Sequence, residues 1–203
     1  MLATGHQVMG FTFGMITITM LQNFSIAPGD TMDVILFFVF VLFGSLLPDI
    51  DTPRSRLGNK FWRGLVLVFL LILLAYLFFP EVLNTYRDEM KIFVWMMIPV
   101  FVMIQGHRKM THSFLFLIVL WGYCQIIVQF LGVPWFFLYG LLAGAVSHLA
   151  GDYLTKRGIP LFYPISKKYF RFLFTFRTGS NIEKIIVTVL VVYNVWVLIL
   201  KTT

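Results

Sequence analysis

Residues 114–131 read Phe-Leu-Phe-Leu-Ile-Val-Leu-Trp-Gly-Tyr-Cys-Gln-Ile-Ile-Val-Gln-Phe-Leu, from Phe114 to Leu131, without a charged side chain. About 20 apolar residues carry a helix across a bilayer, so this stretch reads as a membrane span. Val34–Leu47, extended back to Thr31, and Leu65–Phe79 read the same way, as do Trp135–Ala150 and Ile185–Leu200. Val8–Phe24 is diluted by Gly10, Thr12, Gly14, Thr17 and Thr19, and Ile92–Ile104 is short and contains Pro99. Spans of that kind pack inside a bundle or border a cavity. The reading is an all-α polytopic membrane bundle of about seven transmembrane helices, or six if the first only lies at the interface.

Composition agrees. Of 203 residues 59% are hydrophobic and 12% charged, against about 25% charged in a typical soluble domain. A soluble core of this size cannot hide so much apolar surface, which excludes an ordinary globular enzyme, and the same figures exclude intrinsic disorder. The single cysteine, Cys124, excludes a disulfide framework and a cysteine-based zinc site. With no appended soluble domain or internal repeat in view, residues 1–203 read as a single integral membrane domain. A polar start containing His6 and Gln7, without a basic leader, does not read as a cleavable signal peptide.

Seven spans put the N-terminus, Pro48–Arg63, Gly106–Ser113 and Asp152–Lys184 on one face. That face holds 13 of the 16 basic residues, leaving Arg87, Lys91 and Lys201 for the other. The positive-inside rule therefore expects the first face, and the N-terminus with it, in the cytoplasm. The net charge of +7 is then explained by topology, and no nucleic-acid partner is expected. The longest connection contains Lys167-Lys168-Tyr169-Phe170-Arg171-Phe172 and reads as an interfacial segment on anionic lipid.

All four histidines, His6, His107, His112 and His148, fall on or near that face. So do Asp49, Asp51, Asp152 and Glu183, while Asp30, Asp33, Glu81, Asp88 and Glu89 map to the other. Ionisable groups at membrane depth are costly and mark function by default. His148 and Asp152 stand four apart at a helix end and project from one side. Pro48 interrupts a helix just before Asp49 and Asp51, which in extended chain could each reach a cation. His107 and His112 bracket a turn that could bring both rings inward. Imidazole with carboxylate suits zinc, manganese or iron, and this set suffices for one or two ions. Taken singly, each residue also has a structural reading: His6 as a packing histidine, Asp49 as a helix cap, His148–Asp152 as a hydrogen-bonded pair. Glu183 opens the last span, where a carboxylate favours the helix dipole or braces a basic residue. Gly140, Gly144 and Ser147 give the small-residue spacing that lets another helix come close to His148.

Three stretches, Gly44-Ser45-Leu46-Leu47-Pro48-Asp49-Ile50-Asp51, His107-Arg108-Lys109-Met110-Thr111-His112-Ser113 and His148-Leu149-Ala150-Gly151-Asp152-Tyr153-Leu154-Thr155-Lys156-Arg157-Gly158, carry a family resemblance. In this order they resemble the YdjM-like bacterial inner-membrane proteins, of the LexA-regulated type and regarded as membrane-bound metal-dependent hydrolases. The resemblance runs from His6 to Arg177-Thr178-Gly179-Ser180 and departs at Lys109, where the family more often has a small residue. In outline only, the order of motifs is also similar to the all-helical zinc-dependent phospholipases C and nucleases.

The resemblance implies a hydrolase of the bacterial inner membrane that cleaves an ester or phosphoester of a lipid or lipid-linked substrate. His6, Asp49, Asp51, His107, His112, His148 and Asp152 would bind one or two divalent ions, zinc or manganese foremost. A metal-activated water would be the nucleophile. Arg108 would meet charge on a phosphoryl oxygen, with Asp51 and Thr111 also in the catalytic set. Ser113, Thr155 and Glu183 would support the ligands, and Lys156, Arg157 and Arg177 would hold an anionic headgroup. Two rivals use the same residues. A divalent-cation transporter predicts a site near the midplane of a repeated architecture. A non-catalytic protein with a structural polar cluster predicts no bound metal.

Overall fold

The computed structural model describes residues 1–51, 56–79, 81 and 110–202. Among these it is helical, with two isolated β-bridges and no strand. The helices are α1 (Ala3–Asn23), α2 (Thr31–Gly44), α3 (Arg56–Phe78), α4 (Phe114–Leu131), α5 (Trp135–Tyr153) and α6 (Asn181–Thr202). They fall on the expected spans, apart from Ile92–Ile104, which lies outside the described residues. Among the described residues one segment, Asn181–Leu200, is long and apolar enough to cross a membrane by length and composition; Thr31–Gly44 and Phe114–Phe130 are apolar but shorter.

Local chemistry sets the ends. Asp30 caps α2 by accepting from the Asp33 N–H at 2.7 Å, and Ser113 caps α4 through the Phe116 N–H. Gly132, at φ 62°, closes α4 in the left-handed conformation that glycine adopts without strain. Pro134 then opens α5. In α1 the threonine hydroxyls turn back on the helix, Thr12 to the Val8 carbonyl and Thr19 to the Met15 carbonyl. That absorbs the polarity that weakens this span in the sequence.

Two compact units make up the chain: Met1–Pro48 with His112–Thr203, and Asp49–Thr111. In the first, α5 is central and packs on α1, α2 and α4, while α1 also packs on α2 and α6. The α2–α5 crossing is the closest. A Cβ on Gly144 would overlap the Val41 carbonyl oxygen, and one on Gly44 the Leu141 carbonyl oxygen. The expected small-residue stripe is therefore a backbone-to-backbone contact. Phe37, Val41, Ile18, Leu21 and Phe137 fill the core beside it. Between α1 and α6, the same Thr12 hydroxyl, its one proton shared with the Val8 carbonyl, lies 3.0 Å from Asn194 Oδ1.

In the second unit, the Trp62 indole N–H on α3 donates to the Ile50 carbonyl at 3.0 Å. α3 starts well before the expected Leu65. α2 stops at Gly44, and Leu47–Asp51 forms a 3-10 turn. The extended conformation expected around Asp49 and Asp51 is thus corrected. Pro48 lies in the first turn of this 3-10 segment, where a proline needs no N–H partner.

Candidate metal centre

One end of the first unit gathers five chain segments: the starts of α1, α4 and α6 and the ends of α2 and α5. Hydrogen bonds tie them. Met1 donates its ammonium to Asp152 Oδ1. Leu2 donates its N–H to Glu183 at 2.7 Å, and Phe114 donates its N–H to the Leu161 carbonyl at 2.9 Å. At the α2–α5 crossing, His148 reaches the Ser45 carbonyl.

Asp152, in the last turn of α5, is the centre. Its Oδ1 lies 3.3 Å from His6 Nε2. Its Oδ2 lies 3.5 Å from His112 Nε2 and 3.8 Å from His148 Nε2. The two imidazole Nε2 atoms of His112 and His148 are 3.3 Å apart. All three rings are buried. His6 stacks on His148 with centroids 3.8 Å apart, and His112 meets His148 edge-on at 5.1 Å.

The tautomer of His148 follows from its neighbours. Nδ1 lies 2.7 Å from the Ser45 carbonyl oxygen, which can only accept, so Nδ1 carries the proton. A neutral ring then presents a bare lone pair at Nε2, toward His112 and Asp152. Metal-ligating histidines are oriented in this way by a carbonyl on the far nitrogen.

His112, His148 and Asp152 fit a small divalent cation. Zinc holds nitrogen and oxygen ligands at about 2.0–2.2 Å, which sets tetrahedral ligand atoms roughly 3.3–3.6 Å apart. The observed separations of 3.3, 3.5 and 3.8 Å are close to that edge length. A second sign is His6 Nδ1, a buried nitrogen with no hydrogen-bond partner among the described residues. Orphaned buried polar atoms are rare and are expected where a further group binds.

Of the residues expected at the site, His6, His112, His148 and Asp152 come together. Asp49 is half-buried on the 3-10 turn and belongs to the second unit, as does buried Thr111. His107, Arg108 and the Asp51 side chain lie outside the described residues. Ser113 is the N-cap of α4, directly after His112. Thr155 donates to the backbone carbonyl of Asp152 at 2.7 Å, closing the end of α5. The Glu183 carboxylate accepts from the backbone N–H groups of Leu2 and Gly179. It thereby holds the start of α1, the helix that carries His6, against the start of α6. Lys156, Arg157 and Arg177 are exposed on the loop between α5 and α6.

Sequence reasoning missed the Ser45 carbonyl and the His6–His148 stack. Ser45 carried a signal in retrospect: it follows Gly44, at the end of the helix that the glycines of α5 admit.

A family model described as YdjM inner membrane protein matches residues 1–202. The Inner membrane protein YdjM of Escherichia coli (strain K12) is 28% identical over 157 residues, covering 74% of this chain and 61% of that protein. The protein of the same name from Shigella flexneri matches with the same identity and coverage. The chain thus spans less than two thirds of the length of these relatives. No solved structure matches.

Proposed function

Because the chain belongs to the YdjM inner membrane protein family, we propose that it is a membrane-embedded, metal-dependent hydrolase acting on an ester or phosphoester of a lipid or lipid-linked substrate. The observation that carries the reading is the His112–His148–Asp152 triangle with the His148 tautomer fixed by Ser45. Two imidazoles and one carboxylate make a three-ligand set, which would leave a bound divalent ion open to water or substrate. The mixed donors favour zinc, with manganese next. Asp49 and His107, adjoining these motifs in sequence, complete the set if two ions bind.

His112, His148 and Asp152 would hold a divalent ion, which would supply an activated water and Lewis acidity toward an ester or phosphoryl oxygen. The chain's own residues do the rest. His148 turns Nε2 inward, and His112 Nε2 and an Asp152 carboxylate oxygen lie beside it. The buried helix faces exclude bulk water, which strengthens electrostatics within the site. Arg108 is assigned to charge on the substrate, for its planar fork matches phosphate, and Lys156, Arg157 and Arg177 to an anionic headgroup. The chain is taken to form a seven-span bundle with its metal end in the cytoplasm, where the basic residues concentrate.

The position of the cluster favours hydrolysis over transport. A transported cation needs a site near the midplane, whereas these ligands sit at the ends of α1 and α5 and before the start of α4.

The test is metal content of the detergent-purified full chain by elemental mass spectrometry, beside Asp152→Ala and Asp152→Asn. Near-stoichiometric zinc or manganese in the parent, lost in both variants, supports the site. Release of headgroup from a lipid phosphoester by the loaded parent alone then supports the activity. A parent that stays empty after reconstitution with several divalent ions overturns the reading.

A further inference from the structure

We infer that the loop between α5 and α6 is a rigid membrane-interface anchor whose apolar tips, Ile165, Leu173 and Phe174, insert into a leaflet of anionic phospholipid, held there by Lys167, Lys168 and Arg171. The inference rests on the loop itself and stands whether or not the metal cluster hydrolyses anything.

Backbone pairing first makes the loop rigid. Ile159 and Phe170 exchange N–H···O bonds at 2.9 and 2.8 Å. Lys156 donates to the Phe176 carbonyl, Phe176 to Leu154, and Phe172 to Tyr153. Ile159, Pro160 and Phe176 are buried beneath, and Phe162 packs its ring against Phe114 of α4 and against Phe170. Such a loop cannot fold its remaining apolar side chains inward, because the inward places are taken.

Those remaining side chains are nearly bare: Ile165 is 94% exposed, Leu173 90% and Phe174 82%. Large apolar side chains left out of a stapled loop mark a contact surface. Charge selects the partner. Between Tyr153 and Ile182 there are six cations, Lys156, Arg157, Lys167, Lys168, Arg171 and Arg177, and no acidic residue. Apolar tips beside unbalanced cations match an anionic bilayer interface, where each basic residue near the surface adds attraction.

Position agrees. The loop ends at Ser180, and the segment able to cross a membrane begins at Asn181. A loop joined directly to the first residue of a span lies at the membrane boundary. The Phe172–Tyr153 bond hangs it on the residue after Asp152, so tip insertion would fix the depth of the carboxylate relative to the lipid surface.

The experiment uses the full chain in lipid nanodiscs. Cys124, the only cysteine, is buried, so Cys124→Ala gives a clean background for nitroxide labels on Leu173→Cys and Phe174→Cys. Relaxation by oxygen, which partitions into lipid, is compared with relaxation by a water-soluble nickel chelate. In discs of anionic phosphatidylglycerol, oxygen is expected to dominate several-fold. In neutral phosphatidylcholine discs, or after Lys167→Glu, Lys168→Glu and Arg171→Glu together, the ratio should fall. Nickel-dominated relaxation in both disc types overturns the proposal. So does dipolar broadening between labels on two chains, which would assign the tips to a contact between copies.

Discussion

The imidazole of His6 lies flat on that of His148, with centroids 3.8 Å apart and planes 7° from parallel. The stack delivers two ring edges to opposite oxygens of one carboxylate. His6 Nε2 faces Asp152 Oδ1 at 3.3 Å, and His148 Nε2 faces Oδ2 at 3.8 Å. Packing and chemistry are joined here, because the ring that covers His148 also steadies the group beside it.

Replacing His6 separates the two roles. His6→Phe keeps a flat ring on His148 and removes both nitrogens. Zinc affinity, measured by competition with a chromogenic chelator, is expected to fall about 10–100-fold, the usual effect of losing a group that orients a ligand. The melting temperature should hardly move. His6→Ala should lower both. Unchanged affinity in His6→Phe would reduce His6 to a packing residue.

Glu183 is expected to act on stability rather than on metal. Its carboxylate is buried, 2% exposed, and accepts from the N–H groups of Leu2 at 2.7 Å and Gly179 at 2.6 Å. Glu183→Ala leaves both donors without their acceptor, at about 2–4 kcal/mol from hydrogen bonds to a charged group. Glu183→Gln keeps one strong acceptor and should recover part of that. Thermal denaturation in detergent checks the order, with metal stoichiometry retained in Glu183→Gln. Loss of metal at full stability would make Glu183 a direct participant in the site.

Protons and a metal ion compete for the same imidazole lone pairs. The His112–His148–Asp152 set binds through two such nitrogens, so affinity should fall as the solution is acidified. Between about pH 8 and about pH 5 the affinity should decline steadily, because a metal ion binds only the unprotonated form of each ligand. His112→Ala should weaken binding across the whole range, since one ligand is gone. Zinc titrations by calorimetry at several pH values measure this. A pH-independent affinity would mean that the histidines are not ligands.

Much of this was legible in the sequence because it follows from periodicity and charge. The limits of α4 come straight from Phe114–Leu131, bracketed by Ser113 and Gly132, whose capping chemistry is local. The His148–Asp152 pair is a fixed helical spacing, and the gathering of His6, His112, His148 and Asp152 follows from counting spans. What stayed hidden depends on the crossing of two helices. No local pattern says that the Ser45 carbonyl meets His148, or that the His6 ring covers it, since both need the α2–α5 and α1–α5 distances. Glu183 was ambiguous for a related reason. Its place in the first turn of α6 was readable, but its second oxygen is taken by Leu2, at the other end of the chain. At Asp49 and Asp51 the structure departs from the extended chain expected after Pro48, because proline also fits the first turn of a 3-10 helix.

The helix crossing offers the sharpest test of how packing reaches the site. Gly144 stands where a Cβ would overlap the Val41 carbonyl oxygen, 2.6 Å from the Ser45 nitrogen. Gly144→Ala must therefore push the end of α2 away from α5, and that end carries the carbonyl that fixes the His148 tautomer. The expected cost is about 1–3 kcal/mol from overpacking, with a clear loss of zinc affinity. Gly140→Ala is the control. Its Cβ would lie 2.9 Å from the Phe37 carbonyl oxygen, about one turn farther from the metal end. It should cost similar stability while leaving Ser45 near His148 and most of the affinity intact. Equal loss of affinity in both variants would show that the site follows global stability. Unequal loss, with Gly144→Ala the worse, would show that the Ser45–His148 bond is the link from the crossing to the metal centre.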